Sequence, residues 1–263
     1  MRTLSLLIVV AGFLGQFGTL ADGTNQELET ALRDLGFGTN LVALEESSAK
    51  LLHDYSNSPE VCGRIYMALL GNWAYRNGGA SNVITVSQKA LQCPLEDLDQ
   101  CQAYEYLGVS LDMQSKGASL RQETVLRKEA LAVYLNGLKF VLSKAKTLER
   151  QPVPKVLKES ILTSVTPDTN WINSPEHKAI EDKRAALIKA RDEGNAANRL
   201  IDKYEEFKGG VVELYRGVPY VGEITEVGEK IMPGAPVLKE LVEEVKKAKA
   251  PPPATNSITN PGR

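Results

Sequence analysis

Apolar side chains return every three or four positions over most of this chain, with polar residues between them, which is the period of helices packed on one face. Residues 25–35 place Leu28, Ala31 and Leu35 on one stripe that Gly36 and Gly38 terminate. From Thr39 a second stripe carries Leu41, Leu44, Leu51, Leu52 and Tyr55. Ser58-Pro59 is a helix start, and Ile65, Leu69, Leu70 and Trp73 follow it up to Asn77-Gly78-Gly79. Ser81 opens a segment with Val83, Ile84, Val86, Ala90 and Leu91, closed by Pro94. The segment from Cys101 to Gly117 is followed by Ser119 and Gln122 in capping-box spacing, and then by Ala130, Tyr134 and Leu138 four residues apart.

The texture changes after Arg150. Residues 151–174 alternate prolines with a short helical piece and read as a connector. Ser174-Pro175-Glu176 combines a cap, a first-turn proline and an acid beside the positive end of a helix. The helix behind it is expected to run to Phe207 and stop at Gly209-Gly210, spanning roughly 48 Å. Its narrow stripe is Ile180, Leu187, Ala190, Ala197, Ile201 and Tyr204, weakened at Gly194. Residues 211–236 are rich in glycine and β-branched side chains and fit a short strand, a hairpin, or a loop packed through Val218, Tyr220 and Val221. Pro236 starts a last helix with Leu238, Leu241, Val242 and Val245 on one side. Residues 250–263 have nothing to pack and are expected to be disordered.

Two Leu-Gly pairs, Leu70-Gly71 and Leu107-Gly108, lie 37 residues apart, each followed by a glycine break and a helix of small and large apolar residues. With Tyr104 before the second pair, and Ala90, Ala130, Tyr134 and Gly137 behind, the pattern over residues 59–148 resembles a tetratricopeptide repeat, including its longer Sel1-like relatives. Ala74 stands where the family has an aromatic residue, and Pro94 comes one position early. The resemblance implies a mainly α fold: antiparallel helix pairs stacked as a short solenoid over residues 25–150, then a long helix and a less regular segment within 175–249. Gly71 and Gly108 would then allow close helix approach. The resemblance also implies that the first helix of each pair lines a concave surface. On that basis Tyr66, Asn72, Trp73, Arg76, Glu105, Ser110 and Asp112 are the candidates to face a partner, with Trp73 first because aromatic and Arg residues dominate binding hot spots.

Composition narrows the function without naming it. A formal net charge of −2 with interspersed signs gives no basic face for nucleic acid. Residues 1–21 have the order of a secretory signal: Arg2, an apolar run from Leu4, then small residues up to Ala21. The mature chain is therefore expected to be exported, with no membrane span. Export permits oxidation of Cys62, Cys93 and Cys101. Cys93 and Cys101 flank the turn between two helix pairs and are the expected disulfide, with Cys62–Cys101 as the alternative. With two histidines, His53 and His177, and no Cys-x-x-Cys, no zinc-ligand spacing appears and no cofactor or metal is expected. No nucleophile elbow, P-loop or HExxH is present, so no catalytic residue is nominated. The reading is a non-catalytic interaction module for another protein or peptide. The alternatives are a structural envelope component, or an enzyme or small-ligand binder with its site in residues 211–236.

Overall fold

A computed structural model describes residues 23–75, 79–154 and 175–249. The proposed signal segment, Arg76, most of the connector and the terminal tail lie outside the described residues. Within them the chain is helical, with no strand: α1 (Gly23–Phe37), α2 (Leu41–Asp54), α3 (Pro59–Tyr75), α4 (Gly79–Ala90), α5 (Asp97–Ser115), α6 (Leu120–Lys144), α7 (Pro175–Leu214), α8 (Gly222–Ile231) and α9 (Pro236–Lys249).

Local chemistry accounts for most boundaries. The Asn40 side chain accepts from the backbone N–H groups of Val42 and Ala43 and caps α2. Pro59 occupies the first turn of α3, where its missing N–H is harmless. Helix α5 begins at Asp97 rather than at Cys101, and Asp97 and Asp99 lie by the positive end of its dipole. Ser119 caps α6, but its hydroxyl meets the Gln122 side chain at 2.9 Å and makes no bond to a backbone N–H, so the capping box is not closed.

Two hydrophobic cores meet at α5. The first gathers Leu28, Leu35, Leu44, Ile65, Leu70, Val83, Val86 and Ala90 from α1 to α4, with Ala103 from α5. Asn72 ties it together: its Nδ2 donates to the carbonyls of Leu35 at 2.9 Å and Gly38 at 2.8 Å, satisfying acceptors that the end of α1 leaves open. The second core holds Leu107 and Leu111 of α5, Leu131, Tyr134, Leu135 and Leu138 of α6, Phe207 and Val211 of α7, Ile224 of α8 and Leu241 of α9. It therefore joins side chains from before and after the connector, and residue 150 does not separate two cores.

The joint between α5, α6 and α7 is built from glycine and aromatic rings. A Cβ on Gly108 would lie 2.6 Å from the Tyr134 ring, and a Cβ on Gly210 would lie 2.8 Å from the same ring. Phe207 packs equally closely over Gly137. Close approach is thus made at Gly108, as expected. At Gly71 it is not, because nothing lies within 4 Å of its Cβ position.

Two further expectations are corrected. Helix α7 does not stop at Gly209-Gly210. It runs through both to Leu214, 40 residues in all and about 60 Å long, because Val211 and Leu214 continue the buried face begun by Tyr204 and Phe207. Residues 211–236 are neither strand nor hairpin. They contain α8, with Ile224 and Gly228 buried, entered after a turn at Gly217 (φ +77°) and left through Gly234 (φ +68°). Gly194, the weak point of the long stripe, accommodates the start of the connector. The carbonyl of Pro152 lies 3.4 Å from its Cβ position, and Gln151 and Asn198 exchange two hydrogen bonds of 2.8 and 3.0 Å.

Candidate functional site

The residues nominated from sequence fall into three groups. Asn72 and Ser110 are buried, at 1% and 6% exposure, and the Asn72 Nδ2 is engaged with the end of α1 while its Oδ1 has no donor among the described residues. Glu105 and Asp112 are half-buried and serve intramolecular pairs: Lys203 Nζ of α7 reaches Glu105 Oε2 at 2.6 Å, and Lys116 reaches Asp112 at 2.7 Å. Tyr66 and Trp73 are half-buried against the first core, and the Trp73 Nε1 is buried without an acceptor among the described residues. Arg76 lies outside the described residues.

Why Glu105 is taken up follows from α7. Leu200, Tyr204 and Phe207 cover α5 and α6 from the side that a partner was expected to occupy, and Lys203 arrives with them. Burial alone would pull the Lys203 pKa down, but the carboxylates of Glu105 and Glu206 outweigh it and hold the ammonium charged. Burial and the neighbouring Glu105 push Glu206 upward in turn.

The surface of α5 left open is a different stripe. Gln102, Tyr106, Val109 and Met113 follow one another at helical spacing. Gln102 Nε2 donates to the Tyr106 hydroxyl at 3.1 Å. Val109 is 41% and Met113 61% exposed, and Tyr106 leans on the same core as Tyr66 and Trp73. The spacing was visible in the sequence. Its outward direction was not, because which side of α5 is covered is set by α6 and α7.

A second polar cluster sits inside the region once considered for a ligand site. Glu223, 5% exposed, accepts from Tyr215 Oη at 2.7 Å and pairs with Arg127 at 3.4 Å and Lys128 at 3.6 Å. Burial, and then the hydrogen bond to Glu223, drive the Tyr215 pKa upward, so the phenol stays a donor. The carboxylate is thereby occupied by this chain's own groups and pins α8 to α6 and α7.

The cysteines correct the expected pairing. Cys62, Cys93 and Cys101 are free thiols. Cys101 is fully buried in the second core, whereas Cys93 is half-buried after the end of α4 against the first turns of α3. The turn that Cys93 and Cys101 flank directs them into different surroundings, and neither the Cys93–Cys101 nor the Cys62–Cys101 bond is formed.

Asp99 supplies a pH-dependent feature at the start of α5. Burial, reinforced by Glu96 and opposed by Arg64, pushes its carboxyl up to about 6. The folded state thus holds this proton more tightly than the unfolded chain, and the stability it confers is lost as pH rises from about 4 to about 6. Asp99→Asn is expected to gain about 1–2 kcal/mol at pH 7.5, allowing for water reaching a half-buried group, and to show no gain near pH 4. Urea melts at the two pH values check this; an equal effect at both would contradict it.

Among the described residues no group of three or more His, Cys, Asp or Glu is arranged to hold a metal ion, and no helix is long and apolar enough to cross a membrane. No protein-family model matches the chain, and no curated protein or solved structure matches it either.

Proposed function

We propose that this protein is an exported, non-catalytic interaction module that binds another protein or peptide through tetratricopeptide-like helix pairs, α3–α4 and α5–α6. The observation that carries the reading is the open stripe of α5. Val109 and Met113 stay exposed on the first helix of the second pair, beside Tyr106, although Ala103, Leu107 and Leu111 of that helix are committed to two cores. Met and Tyr are side chains that interfaces favour, Met because it adapts its shape and Tyr because it offers area at little entropic cost. In this reading the contact is carried by Tyr106, Val109 and Met113 with Tyr66 and Trp73, because Glu105 is taken up by Lys203 of α7, Asp112 by Lys116, and Ser110 is buried.

The test compares full-length protein with its Val109→Glu, Met113→Glu double variant. Both positions are exposed, so the melting temperature is expected to change little. Affinity capture from the native compartment should recover a partner with the wild type and lose at least about tenfold of it with the variant, because like-sized charges at a desolvated contact cost a kcal/mol or more each. Equal capture by both proteins, or turnover of a substrate by the purified chain, would overturn the reading.

A further inference from the structure

The first turns of α3 and the end of α4 bring two half-buried thiols into one small cluster. Cys62 lies in the first turn of α3 and its Sγ donates to the Tyr55 carbonyl at 3.3 Å. Cys93 lies just beyond α4 and its Sγ donates to the Lys89 carbonyl at 3.5 Å. Between them stands Gly63, whose missing side chain decides how closely these segments approach. A Cβ there would be 3.2 Å from the Cβ of Cys93 and 2.8 Å from the carbonyl of Pro94. Thus Cys93 packs directly against the residue that follows Cys62.

We infer that Cys62 and Cys93 are a redox pair that closes a disulfide between α3 and the end of α4 by exchange with a small-molecule disulfide. The inference does not depend on partner binding by α5. Three further observations support it. Burial, and then the neighbouring Cys62, raise the Cys93 thiol, and burial, Cys93 and Cys62 together raise Tyr66, one turn along α3, as expected of groups sharing one pocket of surface. Neither sulfur is committed to a strong partner, because each holds only a long contact to a backbone carbonyl that a side-chain rotation releases. The remaining thiol does not compete: Cys101 is fully buried, and burial pushes it up to about 12, leaving almost no thiolate.

The exchange balances without any other reactant. One thiolate of the pair attacks a sulfur of the small disulfide, forming a mixed disulfide and expelling one small thiolate. The second cysteine loses its proton and attacks the protein-bound sulfur, which forms the Cys62–Cys93 bond and expels the second small thiolate. Two cysteine thiols are oxidised, and one small disulfide is reduced to two thiols.

The reduced full-length chain, mixed with excess oxidised glutathione under native conditions, should lose the mass of two hydrogens and yield a peptide joining Cys62 to Cys93. Cys101 should remain free and become alkylatable only on unfolding. The bond closes a loop of about 30 residues and is expected to raise the melting temperature by about 5 °C. Cys93→Ser should stop at a single glutathione adduct on Cys62, and Cys101→Ser should still form the bond. Stable glutathione adducts on Cys62 and Cys93 together, a linkage that includes Cys101, or no reaction at either thiol would each overturn the assignment.

Discussion

Gly210→Leu is expected to lower the melting temperature by about 10 °C, through a loss of about 3 kcal/mol. The side chain would enter the space of the Tyr134 ring, which lies 2.8 Å from where its first carbon must sit. That ring has little room to move, because it already packs so closely on Gly108 that a Cβ there would lie 2.6 Å from it, and Phe207 packs beside it with ring centres 6.5 Å apart. Gly108→Leu should cost a similar amount, and the two substitutions together less than their sum, since both displace one ring. The neighbouring glycine is the control. Gly209 is exposed, helical and has nothing within 4 Å of its Cβ position, so Gly209→Ala should gain about 0.5–1 kcal/mol. Thermal melts of the four variants decide the matter: a Gly210→Leu protein melting with the wild type would remove the ring-between-glycines account.

The second large effect is expected at Glu223. Glu223→Leu leaves Arg127 without its buried carboxylate, although only 12% of the Arg127 side chain is exposed. Stripping one partner from a buried pair costs about 3–5 kcal/mol, and here the lower figure applies because Glu123 remains 3.6 Å from the guanidinium. Tyr215 loses its acceptor at the same time. Adding Arg127→Met should restore much of the stability, because an apolar side chain suits the core that surrounds it. A Glu223→Leu protein as stable as the wild type in urea would show that this cluster does not pin α8.

Both predictions turn on residues that sequence periodicity treats poorly, which explains what was legible. The all-helical character and most helix starts could be read directly, because Ser58-Pro59, Ser174-Pro175 and the three-to-four spacing of aliphatic residues are local signals. Gly209-Gly210 was misleading for a physical reason. Two adjacent glycines end an isolated helix, but here tertiary packing of Tyr134 demands the second one and overrides its propensity. Tyr204, Phe207, Val211 and Leu214 continue at helical spacing across the pair, and that pattern was the available clue. Likewise Ile224, Val227, Gly228 and Ile231 repeat at the helical period in a segment whose composition fitted a strand, a hairpin or a packed loop.

The candidate site was less legible than the fold. Position along a helix indicates which residues share a face, but the partner of that face is fixed by distant chain. Glu105 was a candidate to face a partner until Lys203 reached it from α7, and nothing local marked Val109 and Met113 as the exposed positions of α5. The cysteines repeat the lesson. Cys93 and Cys101 are close in sequence yet face different surroundings, while Gly63 brings Cys93 against the residue beside Cys62.

The most direct measurement of the central claim places a photoactivatable aromatic amino acid at Val109 in the full-length chain and irradiates it in the native compartment. Leu142, 38% exposed on α6, serves as the matched position away from the proposed contact. The account predicts one defined crosslinked partner from position 109, absent from position 142 and lost when Met113 is also changed to Glu. A partner captured from position 142 and not from 109 would contradict it and place the contact elsewhere on the protein.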